Sequence, residues 1–226
     1  MRPGWRGAAC AAALALGAAG RAGPAPPCPP LPAGADLPAR LAAAAPGTVV
    51  CLGPGSWPGP LRVGAGVTLR GPREAVLSGG DVVVTLAGPG AALEGVTVEG
   101  SGRRFDRLDA ALFVTADRVR VENVAIRSAL FGIRAERASG LVLRANEIGG
   151  DPGRPFGLRG DGIRLWEVRD SLVADNRLAD GRDLVAWYSY GNRFEGNRIE
   201  RGRYGLHFMH SHDNRVTRNV FADDVV

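Results

Sequence analysis

From Thr48 onward the chain alternates short apolar runs with turn-forming residues. Typical runs are Val67-Thr68-Leu69, Val82-Val83-Val84 and Val96-Thr97-Val98, and Gly, Asn and Asp lie between such runs. Runs of three or four aliphatic or β-branched residues bounded by turn formers are typical of short strands. The pattern therefore predicts an all-β chain.

These predicted strands recur with a fixed period. An asparagine occupies the same place in four successive units, and an insertion around Asp151-Pro152-Gly153-Arg154-Pro155 lengthens one of them. The asparagines are Asn146, Asn176, Asn197 and Asn219. Three apolar columns keep step with them, at Ile133, Ile163, Leu184 and Leu206, at Leu143, Val173, Phe194 and Val216, and at Ile148, Leu178, Ile199 and Phe221. A period of about 22 residues is typical of a solenoid.

Three short strands in each repeat predict a right-handed parallel β-helix, in which each coil lies about 4.8 Å above the last. Like residues then stack on like, so the asparagines predict a hydrogen-bonded amide ladder at one turn. A leucine-rich repeat has a similar period, but it requires a Leu-x-x-Leu-x-Leu frame and a helical return segment. This sequence contains neither of those features.

The first residues of the chain are typical of an exported protein. Arg2 and Arg6 precede the small apolar stretch Gly7 to Ala19, which predicts a signal peptide over residues 1–20. No later segment approaches the roughly 20 apolar residues that a membrane span needs. We therefore expect a protein that is exported to the periplasm and does not itself span the membrane.

Two further segments follow the predicted signal peptide. Residues 21–35 are rich in Pro, Ala and Gly and predict a linker, and residues 36–226 predict the β-helix domain. Asp36 is a good N-cap for a short helix from Leu37 to Ala45, which Pro46-Gly47 would end. We expect this helix to cap the open end of the first coil.

Charge and cysteine content limit the partners. All 28 basic residues are arginine, against 23 acidic residues, and the formal net charge is +5. Loss of Arg2 and Arg6 with the signal peptide lowers the net charge by two, and the remaining arginines are dispersed along the repeats. Both observations argue against a nucleic-acid-binding role. Cys10 would leave with the signal peptide. Cys28 and Cys51 either form a disulfide or are two separate thiols, since sequence does not give their geometry.

The candidate chemistry lies near the end of the chain. All three histidines and Met209 fall within the six residues from His207 to His212. Imidazole and thioether together suit monovalent copper better than a hard cation. Side chains alternate along a strand, so His207 and Met209 should share an outward face, whereas His210 and His212 fall in the following turn. The sequence predicts His207, Met209, His210 and His212 as candidate copper ligands.

Residues at equivalent positions of earlier coils should lie next to these candidate ligands. The column of His207 holds Arg134, Arg164 and Val185 in earlier coils, and the column of Met209 holds Glu136, Trp166 and Trp187. We expect both columns to point to solvent. Aromatic faces attract cations, so Trp166 and Trp187 are expected to flank a bound Cu(I) ion. From residue types alone, a simple hydrophobic ladder of Met on Trp accounts for the same residues.

A carbohydrate-binding or carbohydrate-cleaving β-helix, a lyase or hydrolase, is the alternative function. Cleavage needs acidic groups that converge on one face. Asp161 and Asp183 are offset by one place in the repeat, so we expect them to face opposite ways, and no catalytic residue is assigned. The residues available for stacking on sugars are Trp166, Trp187, Tyr188 and Tyr204.

Three consecutive predicted coils carry a resemblance to a known family. Gly160 to Trp166, Arg182 to Ser189 and Gly202 to Met209 resemble NosD, the family of periplasmic nitrous oxide reductase maturation proteins, and the resemblance extends from about Pro46 onward. It implies a non-enzymatic β-helix that works with the permease and ATPase subunits of an ABC transporter. It also implies transiently bound copper, delivery of copper for nitrous oxide reductase, and a copper chaperone as a further partner.

Two departures from the family pattern accompany the resemblance. The position of His210 is more usually aromatic in the family, and the sequence ends at Val225-Val226 in the middle of a repeat, where the family continues for several coils. From the second departure we expect a C-terminally truncated fragment of a longer protein.

Overall fold

The computed structural model describes residues 28–32 and 34–226, so the predicted signal peptide and most of the predicted linker lie outside the described residues. The described part forms a parallel β-helix of about eight coils, which confirms the predicted fold class. Each full coil contributes one strand to each of three parallel sheets. Register partners such as Val173, Phe194 and Val216 are 21 and 22 residues apart, as the sequence repeat predicts.

Within the described residues the strands are three to six residues long. The first sheet contains Val49–Cys51, Thr68–Arg70, Ala92–Glu94, Arg120–Glu122, Val142–Arg144, Leu172–Ala174, Arg193–Glu195 and Arg215–Thr217. The second sheet contains Gly55–Pro58, Ala75–Ser78, Thr97–Glu99, Ala125–Arg127, Glu147–Gly149, Arg177–Ala179, Arg198–Glu200 and Val220–Ala222. The third sheet contains Leu61–Val63, Val84–Leu86, Ala110–Val114, Phe131–Glu136, Ile163–Trp166, Asp183–Trp187 and Gly205–Met209.

The interior is filled by the predicted apolar columns and by a polar ladder. In the ladder, the side-chain nitrogen of Asn146 donates to Asn176 Oδ1 at 2.9 Å, Asn176 donates to Asn197 at 2.9 Å, and Asn197 donates to Asn219 at 2.9 Å. This is the predicted amide ladder. Each amide also bonds the backbone of a neighbouring coil, so buried polar groups at this turn are satisfied without water.

The N-terminal end of the coil stack is closed by the predicted helix. It spans Leu37–Ala42, and the Asp36 side chain accepts a hydrogen bond from the Ala39 amide at 3.0 Å. The helix is three residues shorter than predicted, because Gly47 bonds to Gly66 of the next coil and pulls the chain into the first coil. Buried Leu37 and Leu41 fix it to the core.

A disulfide joins the segment before the helix to the first strand. Cys28 and Cys51 are bonded, with their Cα atoms 5.9 Å apart. Just beyond, Leu31 forms a parallel bridge with Leu52, and its amide donates to the Cys51 carbonyl at 2.8 Å. Pairing with the first coil therefore begins inside the segment that the sequence predicts as linker.

Two long loops precede strands of the third sheet. They contain short 3-10 helices at Phe105–Arg107 and Phe156–Leu158, and the second loop holds the insertion noted in the sequence. Phe105 packs on Phe131 with ring centroids 5.3 Å apart, and the Arg182 guanidinium lies 5.6 Å from the Phe105 ring. These contacts bring the first loop against the outer side of the third sheet. No helix among residues 28–32 and 34–226 has the length and apolarity to cross a membrane.

Candidate metal site on the third sheet

The last strand of the third sheet carries His207 and Met209. In its register with the preceding coil, Val185 pairs with His207 and Trp187 pairs with Met209. Phe208, between the two, packs on core residue Phe194 with ring centroids 5.4 Å apart. His207 and Met209 therefore lie on the outer face, and Met209 is 37% exposed.

Aromatic rings hold His207 from two sides. Its ring lies edge-on to Trp187 at 6.3 Å and to Tyr204 at 5.1 Å between centroids. Nδ1 is buried, and it has no hydrogen-bond partner among the described residues. Nε2 is thus the ring nitrogen left for solvent or for a metal ion. The sequence suggests Tyr204 only as a sugar-stacking residue, whereas the structure places its ring beside His207.

The two tryptophans below Met209 are in direct contact. Trp166 and Trp187 pair in register, and their ring centroids are 5.6 Å apart with an edge-to-face angle of 64°. The Arg164 guanidinium lies over the Trp187 ring at 4.3 Å. One indole face of Trp187 is therefore already occupied by a cationic side chain.

The expectation that the whole His207 column points to solvent is wrong for two of its members. Arg164 is 9% exposed and Val185 is fully buried. Arg164 is covered by the Trp187 ring and held by Asp161, whose Oδ2 lies 3.4 Å from Nη1. Strand alternation gives the side on which a residue lies, but the bulky side chains of adjacent coils decide whether water reaches it.

Asp161 and Asp183 are both shielded from solvent. Both carboxylates are fully buried, and Asp183 is close enough for its charge to raise the pKa of Asp161. Burial is the main cause and raises that pKa to about 6, against the pull of Arg182 and Arg164. Asp161 precedes the strand Ile163–Trp166, so strand alternation does not apply to it. Asp183 binds Arg203 Nη2 and the Tyr204 amide, each at 2.7 Å.

His210 and His212 lie on the turn after the strand. The His210 ring stacks on Tyr188 and the His212 ring on Tyr190, each with centroids 5.0 Å apart. The four predicted ligands are therefore distributed over the outer sheet face and the adjoining turn. In the part of the chain that the structure describes, no group of three or more His, Cys, Asp or Glu is arranged to hold a metal ion.

The outer face of the third sheet carries an aromatic wall formed by Trp166, Trp187, Tyr204, His207 and Met209. The fold and this wall define a class of protein: a parallel β-helix whose outer face carries aromatic residues, an imidazole and a thioether. Residues 144–225, which include the whole wall, match the family described as "Periplasmic copper-binding protein (NosD)". The resemblance seen in the sequence is thereby confirmed.

Two related proteins share a name. "Probable ABC transporter binding protein NosD" of Pseudomonas aeruginosa is 35% identical over 125 residues, which cover 54% of this chain and 28% of that protein. The protein of the same name from Stutzerimonas stutzeri is 31% identical over 100 residues, covering 43% of this chain and 23% of that protein. The matched segments span only about a quarter of the length of these relatives.

Among solved structures, a polygalacturonase from Erwinia carotovora ssp. carotovora resembles the chain. The TM-score is 0.57 at 12% sequence identity, over 91% of this chain and 80% of the polygalacturonase. At this identity the likeness shows a shared β-helix fold and does not extend to activity.

Proposed function

We propose that this chain is part of a periplasmic, non-enzymatic copper-binding protein that assists assembly of the copper centres of nitrous oxide reductase together with an ABC transporter. The observation that carries the proposal is the placement of His207 and Met209. They share the outer face of Gly205–Met209, and this strand lies within the segment that matches a copper-binding family.

The donor set fits monovalent copper. A thioether is a soft ligand that discriminates in favour of Cu(I), and an imidazole is acceptable to copper in either oxidation state. Trp187 and Tyr204 restrict the His207 ring, so less side-chain freedom is lost when a metal ion binds. Two protein donors leave coordination positions open. An open, exposed site suits an ion that is passed on to a partner.

The same wall is poorly suited to glycoside cleavage. A catalytic carboxyl group must come within hydrogen-bond reach of the bond that is broken. The side chains of Asp161 and Asp183 have no exposed surface and are held by arginines. This supports an accessory role, although the polygalacturonase has the same fold.

The partner assignment rests on the relatives. Both are named ABC transporter binding proteins, and we propose that the complete protein docks on the permease and ATPase subunits of such a transporter. In this scheme a copper chaperone loads the His207–Met209 site, and nitrous oxide reductase receives the ion. The periplasmic location is proposed on the family description together with the predicted signal peptide.

Titration with Cu(I) under anaerobic, reducing conditions, against a chromogenic Cu(I) chelator, tests the proposal. We expect His207→Ala and Met209→Leu each to weaken Cu(I) binding at least tenfold, because each removes one of two protein donors. Unchanged affinity in the double variant would contradict the proposed site.

Phe208→Leu is the matched control. Phe208 lies on the same strand but packs inward on Phe194. We expect this variant to lower the melting temperature while leaving Cu(I) affinity within about twofold. A comparable loss of Cu(I) binding in Phe208→Leu would mean that the effects at His207 and Met209 report strand damage. Quenching of tryptophan fluorescence by oligosaccharides would favour the carbohydrate alternative.

A further inference from the structure

The His207 ring lacks the hydrogen bond that usually orients a metal-ligating imidazole. Such a ring commonly donates its second N–H to a carboxylate, a backbone carbonyl or water. His207 Nδ1 is buried and has no hydrogen-bond partner in the part of the chain that the structure describes. The ring instead lies against Tyr204 and Trp187, at 5.1 and 6.3 Å between centroids. Whatever fixes these two aromatic rings therefore also fixes the imidazole.

A buried carboxylate fixes Tyr204. Asp183 accepts hydrogen bonds from the Tyr204 amide and from Arg203 Nη2, each at 2.7 Å, and its side chain has no exposed surface. The guanidinium of the same arginine lies over the Tyr204 ring, 4.3 Å from its centroid. Hydrogen bonds to an ionised group are stronger than neutral ones, and a cation over an aromatic face adds a further attraction. Asp183 thus holds Tyr204 at its backbone directly and at its ring through Arg203.

A second buried carboxylate acts on Trp187 in a similar way. Asp161 Oδ2 lies 3.4 Å from Arg164 Nη1, and the Arg164 guanidinium lies 4.3 Å from the centroid of the Trp187 ring. Trp187 Nε1 is buried and has no hydrogen-bond partner among the described residues. The orientation of the indole therefore depends on Arg164 over one face and on the edge-to-face contact with Trp166.

We infer that two buried chains, each made of an aspartate, an arginine and an aromatic residue, position His207 and present Nε2 as its only ligand atom. The first consists of Asp183, Arg203 and Tyr204, and the second of Asp161, Arg164 and Trp187. They take the place of the missing hydrogen bond at Nδ1, because a ring confined from two sides keeps one orientation. The inference rests on the proposed function for its ligand, Cu(I), whereas the orientation of the ring is a property of the metal-free protein.

The metal-free protein gives the first test. Aromatic rings shift the NMR signals of protons that lie near them, so Tyr204→Leu should move the His207 ring-proton signals and increase the mobility of that ring in ¹³C relaxation. Tyr204→Phe keeps the aromatic ring and the backbone amide, so the His207 ring should stay as ordered as in wild type. His210 and His212 stack on other tyrosines, so their signals should not change in either variant. These two histidines control for a general loss of structure.

Asp183→Asn tests the step from the carboxylate to the aromatic ring. The substituted side chain keeps its size but loses the charge that binds Arg203, so the His207 ring should become more mobile although Tyr204 itself is unchanged. Unchanged His207 mobility in both Asp183→Asn and Tyr204→Leu would overturn the inference. Equal effects of Tyr204→Leu and Tyr204→Phe would also overturn it.

Titration with Cu(I) gives the second test. Loss of the groups that orient a metal ligand typically lowers metal affinity by about 10–100-fold, so we expect Tyr204→Leu to weaken Cu(I) binding about tenfold and Tyr204→Phe to stay within about twofold of wild type. Equal Cu(I) affinity in wild type and Tyr204→Leu would overturn the inference. Absence of Cu(I) binding to wild type would contradict the proposed function, and the NMR measurements on metal-free protein would still decide whether the two chains position His207.

Chemical modification of the wild-type chain tests the choice of ring nitrogen without any variant. Diethyl pyrocarbonate acylates an accessible, unprotonated imidazole nitrogen. We expect His207 of the folded chain to react only at Nε2, with the acylated nitrogen identified by NMR. The chain unfolded in urea is the control and should react at both nitrogens. Acylation of Nδ1 in the folded chain would overturn the inference.

Discussion

Removal of the central amide from the asparagine ladder tests how the coils are held together. Asn176 is fully buried, and its side chain makes four hydrogen bonds. It accepts from the amide and the side chain of Asn146, and it donates to the Leu143 carbonyl and to Asn197 Oδ1. Asn176→Ala removes all four bonds and leaves the buried Asn146 amide without its partner at 3.0 Å.

The expected loss of folding free energy is large for a single substitution. An ordinary internal hydrogen bond contributes about 1 kcal/mol net, and an orphaned buried donor costs about 1–3 kcal/mol. We therefore expect Asn176→Ala to lower the free energy of unfolding by about 4 kcal/mol. Urea denaturation followed by far-ultraviolet circular dichroism measures this change.

Asn219→Ala is the matched control. Asn219 holds the same place in the last described coil, but its hydrogen bonds are only partly buried. Water can replace them there, so we expect a loss of about 1–2 kcal/mol. A loss below about 1 kcal/mol for Asn176→Ala, or equal losses for both variants, would refute the view that burial makes the ladder stabilising.

Three further predictions concern stability. Burial raises the pKa of Asp161 to about 6 from 3.8, so the folded state holds this proton more tightly and loses the associated stability as pH rises from about 4 through 6. Asp161→Asn should gain in melting temperature relative to wild type over that range, and a pH-independent difference would contradict this. The double substitution of Cys28 and Cys51 by Ser removes a disulfide between residues 23 positions apart and should lower the free energy of unfolding in denaturant by about 3 kcal/mol. An unfolding midpoint of wild type that a reductant leaves unchanged would contradict this. Asp36→Ala removes the helix cap to Ala39 and should cost about 1 kcal/mol, whereas an unchanged unfolding midpoint would show that the cap is dispensable.

The fold could be predicted from the sequence because each coil of a β-helix gives equivalent residues the same surroundings. Val173 and Phe194 meet the same neighbours in successive coils, so their columns carry the period directly. The same logic placed Trp187 below Met209. Side-chain direction along one strand and stacking between coils are both local consequences of parallel pairing, and neither depends on distant parts of the chain.

The surroundings of His207 and Met209 were harder to predict from the sequence. Strand alternation holds as far as Met209, but His210 adopts the left-handed conformation with φ of 49°, as Tyr188 does one coil earlier with φ of 51°. The left-handed residue turns the chain and so redirects both side chains. The alternation of side chains along a strand does not predict the direction in which they then point. Burial of Arg164 likewise depends on which way the Trp187 ring turns. One signal for this turn is present in the sequence, because Tyr-x-Tyr and His-x-His recur at the same place in adjacent repeats.

X-ray absorption spectroscopy of the Cu(I)-loaded protein tests the central claim most directly, because it identifies the atoms bound to copper. We expect one sulfur and at least one nitrogen neighbour in wild type, with the sulfur lost in Met209→Leu and one nitrogen lost in His207→Ala. A first shell of nitrogen and oxygen alone in wild type, or a sulfur signal that persists in Met209→Leu, would contradict copper binding by His207 and Met209.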